Sequence, residues 1–178
     1  MDAMVSLPFE NRTDQLAWID RRLEIADFSL VNHAFTTSEE PEANIVLELE
    51  LKLKSYFNGS GDRLFVPLNL NNKIELPTRM RSRKYPLELP FAFHTSDTLR
   101  IKIPNDYMPE QLPQGITKDE RFGVYSMHTT QEEDVITCIR TFELYKGRHD
   151  PEMYQDFYAF MQKVSLADAK QLVLKKIE

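Results

Sequence analysis

The sequence predicts a mainly β protein, an antiparallel β-sandwich with one helix in its C-terminal region at about residues 151–164. Long stretches of apolar and charged residues alternate with period two, and short connections rich in Gly, Pro and Asn separate them. Helical periodicity stands out only late in the chain, and parallel strands would need a helix in each crossover. We expect a single domain over residues 1–178, with a possible split at about 1–73 and 74–178.

The strongest strand pattern is "NIVLELELKLKSYF" at residues 44–57, where leucines alternate with glutamates and lysines. This alternation is typical of a strand with one buried and one solvent face. We expect "NGSGD" at 58–62 to form a loop of about five residues that joins this strand to "RLFVPLNL" in a hairpin. An aspartate at position 49 should then unfold the protein. The predicted core residues are Leu47, Leu49, Leu51, Ile101, Ile103, Phe157 and Phe160.

Several further strands are predicted, for a total of at least seven. "RRLEIADFSLVNHAFTT" indicates one long or broken strand, with Trp18 anchoring its entry. "YPLELPFAF" and "TLRIKIP" alternate again, and "ERFGVYSMHTT" with "VITCIRTFELY" forms a hairpin around the acidic tip "QEED". "QLVLKKI" is interpreted as the last strand.

The helix is predicted from "DPEMYQDFYAFMQKV", in which apolar residues recur at helical spacing on one face. Asp150 is a suitable N-cap and Pro151 suits the first helical position. "SLAD" resembles a second cap at Ser165 that would start a separate short helical turn.

The charge balance excludes some classes of partner. The formal net charge is -6, whereas a nucleic-acid or anionic-membrane surface needs an excess of Lys and Arg. No segment approaches the roughly 20 apolar residues of a membrane span, and the start has no signal-peptide pattern. We therefore expect a chain that binds no nucleic acid and inserts in no membrane.

Little in the sequence predicts reactive chemistry, so we expect no enzymatic activity, cofactor or metal. The single thiol, Cys138, lies in the middle of a predicted strand and is interpreted as a buried structural residue. The histidines lack the spacing of a helical metal site, and the acidic groups lack the pattern of a calcium loop. Phosphate-binding loops and hydrolase motifs are missing from the sequence. These histidines are His33, His94, His128 and His149, and the acidic residues are Glu39, Glu40, Glu42, Glu132, Glu133 and Asp134.

A basic stretch, "RMRSRKYP" at residues 79–86, stands out in this acidic chain. It lies in the predicted crossing segment between two sets of strands, where arginines can bind carbonyl groups and carboxylates. Bracing or solvation is the favoured interpretation, and contact with an anion or a partner is the alternative. The residues of that alternative site are Arg79, Arg81, Arg83 and Lys84.

The order of signals over roughly residues 74–178 resembles a specific family. It is the domain of unknown function found C-terminal to the transglutaminase-like module in multidomain proteins of Bacteroides-type bacteria. The matching marks are Arg83 and Pro86, Ile103-Pro104 and Leu112-Pro113, Phe122, Gly123 and Tyr125, Tyr154 and Phe160, and the closing "VLKK".

The resemblance implies a noncatalytic accessory β-sandwich, cut from a larger exported protein and acting in domain packing or substrate positioning. Its partner would be the adjacent transglutaminase-like domain, which carries the catalytic residues in such proteins. The location implied is periplasmic or at the cell surface, through the parent protein.

Two other functions stay open at this point. A free-standing sandwich could bind a glycan or peptide through exposed aromatic rings, with Tyr85, Phe91, Phe93 and Tyr107 as candidates. A cryptic hydrolase would need a pocket with convergent polar groups, such as an accessible Cys138 beside a histidine.

Overall fold

The computed structural model describes residues 11–23, 25, 28–38, 44–53, 58–70 and 72–177. The fold is mainly antiparallel β, as predicted. Contacts within the chain define two compact units, Met1–Tyr56 and Phe57–Glu178, which are described separately. The predicted division of the chain, as one domain or as two lobes that meet near residue 73, stays a prediction.

The first unit contains a helix that the sequence pattern did not predict, α1 (Arg12–Arg22). Its N-cap is Asn11, whose side-chain oxygen accepts a hydrogen bond of 3.1 Å from the backbone N–H of Asp14. This contact satisfies one of the free N–H groups at the helix start. Trp18 lies within this helix and not at the entry of a strand.

Two strands follow α1 and pair in antiparallel fashion, β1 (Phe28–Ser38) and β2 (Asn44–Leu53). β2 carries the leucine–glutamate alternation, so the predicted strand is present. Its partner was predicted wrongly, because it pairs with β1 and not with residues 63–70. Residues 54–57 of the predicted strand lie outside the described residues.

The apolar face of this hairpin is only partly covered. Trp18 of α1 makes an edge contact with Phe35, with ring centroids 6.1 Å apart, and Ile19 is 1% exposed. Leu47, Leu49 and Leu51, predicted as core residues, are half-buried. The described residues of the first unit form this one pair of strands and provide no second sheet to cover its apolar face, which explains the difference.

The described residues of the second unit form two four-stranded antiparallel sheets and one short two-stranded pair. In spatial order, sheet A contains β6 (Phe93–Lys102), β10 (Val135–Leu144), β9 (Gly123–Glu132) and β8 (Ile116–Glu120). Sheet B contains β3 (Asn58–Ser60), β4 (Arg63–Pro67), β12 (Gln171–Lys176) and β7 (Tyr107–Gln111). The short pair joins β5 (Leu87–Leu89) to β11 (Gly147–His149).

Two predicted hairpins have different outcomes. The hairpin of β9 and β10 is confirmed, with an uninterrupted register from Val135 opposite Glu132 to Leu144 opposite Gly123. The "NGSGD" segment does not form a five-residue loop, because Asn58–Ser60 is itself a strand that pairs with β4. Gly61, at φ +64°, occupies the tight turn between them, a conformation that favours glycine.

The predicted C-terminal helix is present with shifted ends. Residues Pro151–Met153 form a single 3-10 turn, and the α-helix α2 runs over Tyr154–Asp168. Asp150 precedes the turn, but its side chain makes no capping hydrogen bond. The predicted second cap at Ser165 is wrong, because the helix continues through it. The terminal strand predicted from "QLVLKKI" is confirmed as β12.

The core of the second unit lies at the inward faces of the sheets and of α2. Four predicted core residues are confirmed there, Ile101, Ile103, Phe157 and Phe160, with exposures of 9% or less. Rings of α2 and sheet A contact each other, with centroids 5.4 Å apart for Phe122 and Phe157 and 6.3 Å for Phe142 and Phe160. Three inward residues of sheet B are fully buried, Val66, Leu172 and Leu174.

Candidate functional site

The most concentrated group of polar side chains in the described residues lies where α2 ends against sheet A. Strand β10 turns Ile136, Cys138, Arg140 and Phe142 inward. Arg140 therefore occupies an apolar position of the alternation, and it is only 2% exposed. An arginine so deeply buried requires partners for its charge and its five N–H donors.

Asp168, the last residue of α2, supplies the main partner. Arg140 donates from Nε to Asp168 Oδ1 at 2.7 Å and from Nη2 to Oδ2 at 3.0 Å, which makes a bidentate pair. Arg140 also donates from Nη1 to Asp97 Oδ2 at 3.1 Å and from Nη2 to the carbonyl oxygen of Asn72 at 3.1 Å. Tyr125 donates its hydroxyl to Asp168 Oδ1 at 2.8 Å. We call Arg140, Asp168, Asp97 and Tyr125 the buried charge cluster.

The environment of the cluster stabilises the ionised arginine and the neutral phenol. Burial lowers the pKa of Arg140, but hydrogen bonds and attraction to Asp168 outweigh this, so that its pKa is raised overall. Burial, with a further contribution from the Asp168 carboxylate, raises the pKa of Tyr125. Both groups therefore keep their protons at neutral pH.

The cluster joins four separate parts of the fold. Asp97 is on β6, Tyr125 on β9, Arg140 on β10 and Asp168 at the end of α2. The carboxylate of Asp168 also accepts a hydrogen bond from the backbone N–H of Ile74, and Asn72 donates to Asp97 at 2.6 Å. The charges are thus used in holding the 72–74 segment and the helix end on sheet A.

Cys138 has the environment of a structural thiol. It is 1% exposed, and burial raises the pKa of its thiol, which disfavours the thiolate. Cys138 lies on the inward side of sheet A. His94 and His128 lie opposite Glu143 and Ile139, which the strand alternation places on the outward side. The Cys–His arrangement of a cryptic hydrolase is therefore not formed with these two histidines.

The acidic groups contribute no metal site in the described part of the chain, where no cluster of three metal-ligating side chains occurs. Glu132 and Asp134 are exposed at the tip of the β9–β10 hairpin, and Asp134 forms an ion pair of 3.5 Å with Lys102. Glu39, Glu40 and Glu42 lie outside the described residues. His33 accepts or donates a hydrogen bond of 3.1 Å with Gln15 in the first unit.

The basic stretch lies beside the first turns of α2. Arg83 donates from Nε to the carbonyl of Tyr85 at 2.9 Å and from Nη2 to that of Pro86 at 3.3 Å, and its guanidinium lies 5.1 Å from the ring centroid of Tyr154. Tyr154 donates in turn to the carbonyl oxygen of Thr78. Arg83 thus contacts its own loop and the helix.

The other basic side chains of this stretch are exposed. Arg79 lies over the ring of Tyr158 at 5.9 Å, and Lys84 lies 5.9 Å from that of Tyr85. Arg81 is exposed, and its carbonyl accepts a hydrogen bond of 3.5 Å from Gln155. The alternative role of these residues, contact with an anion or a partner, stays a prediction.

The candidate aromatic residues of a binding face are dispersed. Tyr85 and Phe91 are 70% and 72% exposed. Phe93 is 48% exposed and makes an edge contact with Phe142, with centroids 6.0 Å apart, while Tyr107 is half-buried opposite Lys176 in sheet B. Ring contacts among these four are not formed in the described residues.

Sequence reasoning missed the pairing of Arg140 with Asp168. The signal was present, because Arg140 stands at the third of four alternating positions, of which the others are Ile136, Cys138 and Phe142. A charged residue in the apolar phase of a strand requires a buried partner. The identity of that partner, 28 residues away, was not readable from the pattern.

Several residues that carry the family resemblance lie at these contacts. Phe122 packs on α2, Tyr125 binds Asp168, Arg83 covers Tyr154, and Ile103 donates its N–H to the carbonyl of Asp134 at 2.7 Å. Gly123 leaves no room for a side chain, because a Cβ there would lie 2.0 Å from the carbonyl oxygen of Glu143. Most of the residues that carry the family resemblance therefore lie at contacts between α2, sheet A and the 72–86 segment.

No helix in the described residues is both long and apolar enough to cross a bilayer. Comparison with curated proteins finds no match. One similar solved structure is that of "a putative protease from Parabacteroides distasonis ATCC 8503", with 20% identity and a TM-score of 0.48. The alignment covers 55% of this chain and 19% of that chain. Residues 62–174 match the domain of unknown function with a solved structure called DUF3858, and the chain belongs to that family.

Proposed function

We propose that this chain is a noncatalytic accessory domain that packs against, or positions substrate for, a transglutaminase- or protease-like module of a larger exported protein. The observation that carries this proposal is the saturation of the buried charge cluster, in which Arg140 is held by Asp168, Asp97 and the carbonyl of Asn72. A reactive site needs polar groups that are free to meet a substrate. The polar groups of the buried charge cluster instead bind one another and hold α2 on sheet A.

The state of Cys138 supports the same conclusion. A cysteine nucleophile works as a thiolate and is activated by a lowered pKa and access to solvent. Cys138 is buried, and its pKa is shifted in the opposite direction. The family match over residues 62–174 supports the family part of the resemblance, and that resemblance implies the larger protein and its transglutaminase-like neighbour.

A direct assay tests the noncatalytic part of the proposal. The purified chain is incubated with a fluorogenic peptide mixture and with amine-incorporation substrates, next to a Cys138→Ser variant as a matched control. We expect turnover equal to the buffer blank for both proteins. Turnover by the parent chain that Cys138→Ser abolishes would refute the proposal.

A second assay tests the accessory part. The chain is produced together with the module encoded directly upstream in its own reading frame, and the activity of that module is measured with and without this chain. We expect the two to co-purify and the activity or its apparent KM to depend on the chain. Equal activity combined with no association would contradict an accessory role.

A glycan- or peptide-binding module is the alternative, and the exposure of Tyr85 and Phe91 favours it. Exposed rings can stack on sugars or dock apolar peptide residues. Binding to a glycan array and a peptide library would be compared for the parent chain and the variants Tyr85→Ala and Phe91→Ala, with Tyr145→Ala as an exposed aromatic control. A ligand lost in the first two variants and kept in the third would establish this function.

A further inference from the structure

We propose that the free edge of β2 pairs in antiparallel fashion with the same edge of a second copy of this chain. In the resulting dimer, two hairpins form one four-stranded sheet across a twofold axis. β2 uses one edge to pair with β1, and within the described residues its other edge pairs with no strand. An exposed strand edge of ten residues presents a row of unpaired N–H and C=O groups.

The charges of β2 are not neutralised within the hairpin. Glu48, Glu50 and Lys52 are exposed, and the described ion pairs include none of them. Their neighbours across the pair are uncharged, since Glu48 lies opposite Ala34, Glu50 opposite Asn32 and Lys52 opposite Ser29. The charges of this face are therefore available to a partner.

Their order makes the strand complementary to itself. The sequence around Leu51 reads Glu, Leu, Glu, Leu, Lys, Leu, Lys, so that its charges change sign across that residue. A twofold axis through Leu51 places Glu50 of each copy opposite Lys52 of the other, and Leu49 opposite Leu53. Opposite charges at facing positions of an antiparallel pair attract each other.

Other registers of the same pairing are less favourable. An axis through Glu50 would bring the two Glu50 side chains together, and an axis through Lys52 would do the same for the two lysines. Shifting the register by a single residue would set leucines against charged residues on both faces. The axis through Leu51 alone satisfies both faces at these positions.

The apolar side of the hairpin also favours a second copy. Leu47, Leu49, Leu51 and Leu53 are half-buried, and they would continue as one apolar surface across the axis. A two-stranded sheet is marginal by itself, whereas four strands with a common apolar face are not. Charged residues on an edge often prevent such pairing, but here their signs attract in the matched register. Twofold pairing of identical surfaces closes as a dimer.

Charge reversal tests the proposal on the complete 178-residue chain. Sedimentation velocity over a wide range of micromolar concentrations would compare the parent chain with Glu50→Lys, Lys52→Glu and the double variant Glu50→Lys/Lys52→Glu. By symmetry each single variant turns two attractive pairs into repulsive ones. We expect a dimer for the parent chain, a dissociation constant raised at least about tenfold in each single variant, and recovery in the double variant.

Circular dichroism and thermal melting serve as controls, since both substituted positions are exposed and the fold should be unaltered. An equimolar mixture of Glu50→Lys and Lys52→Glu, with one of them tagged, should form mixed dimers that co-purify. A monomeric parent chain at every concentration would overturn the proposal. A dimer that the single reversals leave unchanged, or that the double variant fails to restore, would also overturn it.

Discussion

Arg140 in the second unit and the charged residues of β2 in the first unit lie in opposite environments. In the second unit Arg140 is 2% exposed and is held by two carboxylates and a carbonyl group. In the first unit the charges of β2 are exposed and lack an ion pair in the described residues. A buried charge must have its partners at fixed positions, whereas an exposed charge only marks the solvent side of its strand. Similar alternation thus places a charge that binds α2 inside one unit and exposed charges on the solvent side of β2 in the other.

The apolar residues of the two units also differ in how deeply they are buried. Val66, Leu172 and Leu174 of sheet B are completely buried, whereas Leu47, Leu49, Leu51 and Leu53 of β2 are half-buried. Each fully buried side chain of this size contributes about 1.5–3 kcal/mol, and a half-exposed one contributes less. We therefore expect the second unit to carry most of the stability.

The largest expected effect separates the two units directly. Leu172→Asp places an unpaired carboxylate at a position with no exposure and should cost several kcal/mol, enough to abolish the main thermal transition. Leu49→Asp, at a half-buried position, should leave that transition in place and loosen only the hairpin. Calorimetry with hydrogen exchange of both variants would measure this. Loss of the main transition in Leu49→Asp would show that the hairpin belongs to the same cooperative core.

The next effect concerns the buried charge cluster. Arg140→Met leaves Asp168 buried without its partner and should lower the free energy of unfolding by about 3–5 kcal/mol in urea titrations. The double variant Arg140→Met/Asp168→Leu removes both charges and should recover most of that loss. A single variant as stable as the parent chain would mean that the pair does not hold α2 to sheet A.

A smaller effect is expected from the close approach at Gly123. Gly123→Ala would force its Cβ into the backbone of Glu143 and should cost at least about 1–3 kcal/mol of unfolding free energy. Gly59→Ala is the matched control, because a Cβ there would lie 3.7 Å from Leu64, an ordinary contact. Equal stability of the two variants would contradict the close approach of Gly123 to the backbone of Glu143 on the neighbouring strand β10.

The smallest effect is a change of stability with alkaline pH. Burial raises the pKa of Cys138 above its ordinary value of 9.0, and the pKa of Tyr125 is also raised. Above pH 9 the unfolded chain therefore loses protons that the folded chain retains. The contribution of these groups to the free energy of unfolding is fully present below this pH and is lost as the pH rises above it. Urea titrations from neutral to alkaline pH should show the decline, and Cys138→Ala should move its onset toward pH 10, where tyrosine ordinarily titrates. An onset unchanged by Cys138→Ala would contradict this account.

Local pattern was sufficient for many elements of the fold. The β9–β10 hairpin, β12 and the apolar face of α2 follow from periodicity and from the residues that fill turns. The helix α1 was missed because Trp18, which lies within it, was interpreted as the anchor at the entry of the following strand. The partner of β2 was also predicted wrongly, since pairing depends on which strands meet and not on the alternation within one strand.

The sequence by itself determined the mainly antiparallel β class, the alternation that separates inward from outward residues, and the lack of recognisable catalytic motifs. Only the tertiary structure decided that β2 pairs with β1, that Arg140 meets Asp168 and Tyr125, and that Arg83 packs on Tyr154. The reason is physical. Periodicity reports the preference of each residue for water or for the interior, whereas pairing depends on contacts between residues that are distant in the chain.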